Sequence, residues 1–229
     1  MPLDSLRHRL SHLLPAAFRA YVAPFTAGHR RFVGPGDRWD LAAASQFSLL
    51  TLLGLREHHT LLDVGCGSLR AGRLFVVYLQ AGHYFGVEPE RWLVDAAIRS
   101  ELGAELVARK RPTFHHGRDF AFGVFGRTFD FLLANSIFSH ASPAQIGTCL
   151  AEAARVMTPA SIFLASYVDG PTDYTGDAWV YPGTVTYTLP RLQALAAAAG
   201  LTCERLDWPY VYGEGAQTWL ALTRRDAPT

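Results

Sequence analysis

The stretch from Thr60 to Glu90 constrains the fold of this chain most. A short apolar run ends in Gly65-Cys66-Gly67, the residues from Leu69 to Leu79 have helical spacing, and a second apolar run ends at Glu88. This order predicts a parallel pair of strands joined by a right-handed helical crossover. Ligands bind such sheets at the carboxyl ends of the strands, which is where both glycines and the acid fall.

The rest of the chain continues the alternation of strands and helices. Further strands are predicted at residues 112–114, 129–134, 160–167, 201–208 and 218–223, and further helices at residues 40–53, 91–108, 143–156 and 190–199. Such alternation predicts an α/β fold with a mostly parallel sheet and helices on both faces. Residues 169–188, rich in aromatic residues, Gly and Pro, interrupt it, and either a binding loop or a self-packed β-hairpin fits them.

The N-terminal 36 residues differ from the rest. Residues 1–25 have a helical period of apolar residues with Arg and His between them, and residues 28–38 are typical of a linker. A helix packed on the domain or on a second subunit is favoured over a transit peptide or a membrane-surface helix. We therefore predict an N-terminal extension (1–36), a main domain (37–224) and a short tail (225–229), with a homodimer as a possible assembly.

Charge and cysteine content exclude several classes of protein. The chain has 229 residues, 21 of them basic and 20 acidic, which gives no reason to expect nucleic-acid or anionic-membrane binding. Three widely spaced cysteines favour neither a disulfide framework nor a zinc site, so no metal is predicted. No apolar stretch approaches the ~20 residues that a membrane span needs, and a cytoplasmic location is predicted.

The glycine pattern also separates two kinds of nucleotide ligand. Backbone N–H groups after a strand, with no side chains in the way, allow a ligand to approach closely. An acid at the end of the second strand can accept hydrogen bonds from a ribose. A dinucleotide fingerprint would need a third glycine where Arg70 stands, so a dinucleotide is the weaker interpretation.

Three segments resemble class I S-adenosylmethionine-dependent methyltransferases. Leu61 to Ser68 looks like the first motif of that family, Phe85 to Pro89 like the second, and Phe129 to Ser136 like the fourth-strand segment. The resemblance covers about residues 52–223, and it departs at Leu69, where the family commonly has a glycine. It implies a seven-stranded sheet whose last strand is antiparallel, and S-adenosyl-L-methionine as the cofactor.

The resemblance also implies roles for individual residues. Gly65, Cys66, Gly67 and Ser68 would line the turn around the cofactor, and Asp63 would orient that turn or contact the amino group through water. Glu88 would hold the ribose hydroxyls, and Pro89 would lie against the adenine. Asp119, with Phe120 beside it, would accept from the adenine amino group. Asn135 and Ser136 would form the floor near the sulfonium.

The predicted reaction is methyl transfer to a small molecule, at an oxygen of a natural-product or saccharide-type substrate. His140 is the candidate base, with a structural role as the alternative, and the acceptor pocket would be shaped by Tyr167, Asp169, Trp179 and Tyr181. Other readings stay open. They are an enzyme of the same fold that uses the cofactor for different chemistry, a non-catalytic binding module, and a nucleic-acid or protein methyltransferase.

Overall fold

The computed structural model describes residues 28–34, 38–211 and 217–225. The helix predicted over residues 1–25 and nearly all of the predicted tail lie outside these described residues. The strands are β1 (Leu61–Val64), β2 (Tyr84–Val87), β3 (Thr113–His115), β4 (Phe129–Ala134), β5 (Met157–Asp169), β6 (Thr186–Tyr187), β7 (Leu201–Leu206) and β8 (Thr218–Arg224). The helices are α1 (His29–Phe32), α2 (Trp39–Leu52), α3 (Gly72–Tyr78), α4 (Arg91–Ala97), α5 (Ala104–Lys110), α6 (Pro143–Val156) and α7 (Leu189–Ala198).

The strands form one sheet in the order β3-β2-β1-β4-β5-β8-β7, and the two-residue strand β6 pairs with the end of β5. The strands from β1 to β5 pair in parallel, whereas β8 runs antiparallel to both β5 and β7. The predicted seven-stranded, mostly parallel sheet with an antiparallel last strand is therefore confirmed. The carboxyl ends of β1 to β5 meet the start of β8 at one edge of the sheet.

Apolar residues cover both faces of the sheet, because successive side chains of a strand point to opposite sides. Leu61 belongs to a buried cluster beneath α2, α3 and α4, whereas Leu62 belongs to the cluster beneath α6 and α7. Ser142 caps α6 in a reciprocal capping box with Gln145. No helix within the described parts of the chain is both long and apolar enough to cross a membrane.

Two predicted helices were wrong in extent. The helix predicted from Leu69 begins only at Gly72, because Leu69 adopts a left-handed conformation with φ of 57°. The single helix predicted over residues 91–108 is divided into α4, a π-helix at Ile98–Leu102, and α5. Gly103, with φ of 80°, separates the last two, and this glycine was a signal for the break.

The insertion and the predicted linker also differ from expectation. Residues 170–187 do not form a self-packed hairpin, because the strand at their end, β6, pairs with β5 instead. The predicted linker contains the helical turn α1, which contacts α4 and the π-helix that follows it. Both segments therefore return to the carboxyl edge of the sheet.

Candidate functional site

The turn after β1 is tied to the end of β2 by its own backbone. The N–H groups of Gly65 and Cys66 both donate to the carbonyl of Val87, at 2.8 and 3.1 Å. The N–H of Gly67 donates to Oε2 of Glu88 at 2.9 Å. The predicted glycine turn and the predicted acid are thus brought together in one hydrogen-bonded unit.

Both glycines of this turn are needed by the packing of the protein itself. Gly65 and Gly67 have φ of 68° and 55°. A Cβ on Gly65 would lie 2.1 Å from Cδ1 of Ile137, and one on Gly67 would lie 2.7 Å from Cγ1 of Val33. Ile137 follows β4, and Val33 precedes α2. The glycine pattern therefore has a structural cause in addition to close approach by a ligand.

Leu69 occupies the position where the resembled family has a glycine. Its φ of 57° is the left-handed conformation that glycine adopts freely, and its N–H donates to the carbonyl of Cys66 at 3.0 Å. This conformation costs a leucine about 1–2 kcal/mol. The side chain is fully buried beneath the helices of its face, which is worth about 2 kcal/mol. Burial thus offsets the strain and explains the leucine.

Glu88 lies at the carboxyl end of β2 and is 8% exposed. Its Oε2 accepts from Gly67, and its Oε1 accepts from the N–H of Glu90 at 2.9 Å. Burial raises the pKa of Glu88, and the two N–H donors oppose that rise by stabilising the carboxylate. A carboxylate has about four acceptor positions, so Glu88 retains capacity for two further donors, as a ribose diol would supply.

Asp63 is the third residue of β1 and points to the face covered by α3. The hydroxyl of Tyr84 donates to its Oδ2 at 2.7 Å. Burial raises the pKa of Asp63 to about 7, against the effect of this hydrogen bond. Gly72 provides the room, since a Cβ there would lie 2.4 Å from the Tyr84 hydroxyl. Asp63 is therefore held beneath the turn, beside Cys66.

The loop after β3 forms a third wall. Nδ1 of His116 donates to the carbonyl of Glu88 at 2.6 Å, which ties this loop to the end of β2. Asp119 is exposed, and its Oδ1 accepts from the N–H of Ala121 at 3.3 Å. Phe120, with φ of 55°, packs edge-on against Phe122. The half-buried Pro89 completes the region next to Glu88.

The loop after β4 meets β5 and β8 in a polar network. Oδ1 of Asn135 accepts from the Tyr210 hydroxyl at 2.9 Å. The N–H of Ser136 donates to Oγ of Ser166 at 2.7 Å, and Ser166 donates to Oε1 of Gln217 at 2.6 Å. Gln217 also donates to the Ser136 hydroxyl. Asn135 and Ser136 are therefore fixed at the carboxyl edge of the sheet, beside the glycine turn.

His140 is buried between the rings of the insertion. Its Nδ1 donates to the carbonyl of Gly183 at 2.7 Å, and its ring lies 5.6 Å from Trp179 and 5.1 Å from Tyr181. Burial lowers the pKa of His140, against the Gly183 carbonyl, so the ring is neutral at pH 7. Because Nδ1 carries the proton of the neutral ring, Nε2 is the basic nitrogen. The alternative role, satisfying a buried carbonyl, is thus also filled.

Tyr181 connects this ring group to the glycine turn. Burial raises its pKa to about 12, Arg70 opposes the rise, and Glu88 adds to it. These effects place the phenol within electrostatic range of both charged groups. The predicted acceptor residues Trp179 and Tyr181 stand beside His140, and Tyr181 also lies within electrostatic range of Arg70 and Glu88.

The structure does not bring Tyr167 and Asp169 to this ring group. Tyr167 is fully buried in the cluster beneath α6 and α7, because it points to the opposite face of β5 from Ser166. Asp169 pairs with Arg205 at 3.4 Å, beside the end of β7. Strand alternation was the signal that Tyr167 points away from Ser166 and the polar network.

Strained backbone marks the same edge. Among the described non-glycine residues, four have positive φ, and three of these follow the carboxyl ends of strands. They are Leu69 after β1, Phe120 after β3 and Ser136 after β4. Such conformations concentrate at functional sites, because the surrounding contacts must enforce them.

The residues present suit a nucleoside ligand with a polar tail. The hydroxyl of Ser68 is buried in the glycine turn and has no hydrogen-bond partner among the described residues. A bound amino-acid group would supply that partner, and Glu88 retains acceptor capacity for a diol. The three cysteines are buried, and burial raises the pKa of Cys66, so it is a packing residue.

Sequence reasoning missed the residues that complete these walls. Ser166 and Gln217 were not singled out, and Val33 and Phe32 fell within a predicted linker. Gln46 is 6% exposed and donates from Nε2 to the carbonyl of Ala42. For Ser166, the signal available in the sequence was a polar residue within a buried strand.

Comparison with solved structures gives a consistent set of similar folds. The chain is similar to DesVI of Streptomyces venezuelae, with 17% identity, a TM-score of 0.60 and coverage of 85% of this chain and 95% of that one. The sugar N-methyltransferase KedS8 from Streptoalloteichus has 20% identity and a TM-score of 0.60, covering 85% and 91%. Magnesium protoporphyrin IX methyltransferase from Synechocystis has 13% identity and a TM-score of 0.60, covering 92% of each chain. No family model matches the chain.

Proposed function

We propose that this chain, whose fold is that of the class I S-adenosylmethionine-dependent methyltransferases, transfers a methyl group from S-adenosyl-L-methionine to a small molecule. The acceptor atom is an oxygen of a natural-product or saccharide-type substrate. The similar solved structures include a sugar N-methyltransferase and a porphyrin methyltransferase, which supports a small acceptor. The choice of oxygen rests on His140.

The observation that carries this proposal is the position of Glu88. A buried carboxylate at the end of β2 is costly unless it is partnered. Its two oxygens hold the glycine turn and the start of α4, and each keeps a free lone pair at the edge of the sheet. This arrangement suits a ribose diol, which would donate one hydrogen bond to each oxygen.

Other residues of the chain would hold the rest of the cofactor. Ser68 would bond its amino-acid group, while Asp63 would support the turn from below. Pro89, Asp119 and Phe120 would enclose the adenine, and Asn135 and Ser136 would stand beside the sulfonium. When bound, S-adenosylmethionine supplies an electrophilic methyl group.

His140 would act on the acceptor. Because Nδ1 donates to Gly183, the neutral ring presents Nε2 as a base that can take the proton of an acceptor hydroxyl. Trp179 and Tyr181 flank the ring and would orient the acceptor and exclude water. Burial lowers the pKa of His140 below the usual value of histidine, so the base is neutral at pH 7.

Isothermal titration calorimetry with S-adenosylhomocysteine tests the cofactor assignment. We expect saturable binding at micromolar concentration, followed by methyl release in the presence of a hydroxylated acceptor from a saccharide panel. The absence of binding at millimolar concentration would contradict the proposal.

A non-catalytic binding module is the second candidate. A module of this kind would bind S-adenosylhomocysteine but release no methyl group to any acceptor. The location in the cytoplasm and the homodimer remain predictions from the sequence.

A further inference from the structure

We infer that Arg30 and Glu101 form a clamp that holds residues 28–34 over the cofactor site and slows exchange of the bound nucleoside. In this role they are positioning residues, since neither is proposed to contact the reacting atoms. The inference rests on the proposed function, because it requires a ligand in that site.

The clamp is a bidentate ion pair between segments far apart in the chain. Nε of Arg30 lies 2.6 Å from Oε1 of Glu101, and its Nη2 lies 2.9 Å from Oε2. The Glu101 side chain is only 6% exposed, whereas that of Arg30 is half exposed. His29 adds a contact of 3.1 Å between its Nε2 and the hydroxyl of Ser100. Bidentate pairs of this geometry are strong and directional.

The π-helix at Ile98–Leu102 supplies the partners of His29 and Arg30. Ser100 and Glu101 lie within it and face residues 28–34, while Leu93 and Val94 of α4 are buried. Such π turns are rare and are frequently found at functional sites, which is consistent with a role for this one.

The clamped segment spans the glycine turn. The ring of Phe32 lies 5.2 Å from that of Trp92 on α4 and 5.4 Å from that of Tyr181 in the insertion. Val33 covers Gly67, where it leaves no room for a Cβ. The segment therefore bridges α4 and the insertion directly above the turn that the cofactor would contact.

This placement has a kinetic consequence for a ligand. A nucleoside held by the turn and Glu88 would have Phe32, Val33 and Tyr181 along one side. Its release would require these contacts to separate, and the Arg30–Glu101 pair opposes that separation. Weakening the pair should therefore raise the dissociation rate of the ligand.

The test compares Glu101→Gln with Glu105→Gln. Glu105 pairs with Arg109 at 3.1 Å on the exposed surface of the next helix, so it is a matched control for the loss of one acidic charge. Dissociation of S-adenosylhomocysteine is followed by stopped-flow tryptophan fluorescence. We expect Glu101→Gln to raise the dissociation rate about tenfold, and Glu105→Gln to leave it unchanged.

Limited trypsin digestion gives a second readout. Arg30 and Arg31 are exposed cleavage sites within the segment, and S-adenosylhomocysteine should protect them less in Glu101→Gln than in the wild type. The charge reversal Arg30→Glu with Glu101→Arg should restore the dissociation rate and the protection of Arg31, since the swap removes the cleavage site at Arg30. If Glu101→Gln does not fold, Arg30→Gln tests the same pair from its exposed side.

The outcomes separate the two proposals. A wild-type protein that fails to bind S-adenosylhomocysteine contradicts the proposed function. Normal binding with equal dissociation rates in Glu101→Gln, Glu105→Gln and the wild type overturns the clamp and leaves the proposed function standing.

Discussion

The two halves of the carboxyl edge are built in different ways. The half around β1 and β2 comes from one continuous stretch, and its turn is fixed mainly by main-chain N–H groups that donate to Val87 and Glu88. The half around β4, β5 and β8 comes from four separated segments, joined by side chains such as Ser166 and Gln217. A wall formed by main-chain groups suits a ligand that stays the same, whereas the residues of a wall formed by side chains can differ with the acceptor.

Glu88→Ala should break the first half most severely. The turn would lose its anchor, and a ribose diol would lose two charge-assisted acceptors, so affinity for S-adenosylhomocysteine should fall about a thousandfold. Calorimetry measures this loss. Glu90→Gln is the control, since Glu90 pairs with Arg118 on the surface. Unchanged affinity in a folded Glu88→Ala variant would remove the ribose assignment.

Gly65→Ala should test whether the turn is constrained by the protein itself. The new Cβ would overlap Ile137, and we expect the free energy of unfolding to fall by about 3 kcal/mol. Gly126→Ala is the control, because Gly126 has a similar φ of 62° with no atom within 4 Å of a Cβ. Chemical denaturation should show a much smaller loss there. Equal losses would mean that backbone strain, not overlap, accounts for the effect.

His140→Ala should lower turnover without weakening the binding of S-adenosylhomocysteine. Loss of a base lowers turnover about a hundredfold, whereas affinity for S-adenosylhomocysteine should stay within error of the wild type. Methyl-release assays and calorimetry measure the two quantities. In the wild type, turnover should persist below pH 6.5, because burial lowers the pKa of His140. A variant with normal turnover would leave His140 purely structural.

At position 69, glycine should be less destabilising than alanine, which reverses the usual order of these two residues. Both Leu69→Ala and Leu69→Gly lose the buried side chain, but only glycine also loses the left-handed strain. We therefore expect the glycine variant to be more stable than the alanine variant by about 1 kcal/mol, although both are less stable than the wild type. Denaturant midpoints compare them directly. A more stable alanine variant would contradict the strained geometry.

Asp63 should make the stability of the protein depend on pH. Burial raises its pKa from 3.8 to about 7 in the folded state, so the folded protein binds more protons than the unfolded chain between these values. Stability from this group is complete below pH 3.8 and is lost as pH rises through 7. Asp63→Asn should flatten that part of the pH profile of Tm. A profile identical to the wild type would contradict the raised pKa.

The first half was predictable from the sequence, and most of the second was not. The strand, glycine turn and acid lie close together in the chain, so local patterns determine them. Ser166 and Gln217 are 51 residues apart, and Arg30 and Glu101 are 71 apart, so their pairing depends on how the whole sheet is assembled. The Leu69 strain escaped prediction because tertiary packing overrides backbone preference there.

The position of β8 between β5 and β7 has a consequence for folding during synthesis. Until β8 emerges, β5 has one unpaired edge along Phe163 to Tyr167, and β7 has no partner among the described strands. The half around β1 and β2 is already complete at that stage, whereas the network at Asn135 lacks Gln217. A nascent chain would therefore display an apolar strand edge of the kind that pairs with other chains. Interruption of synthesis before β8 should leave a species that recruits chaperones or aggregates through β5.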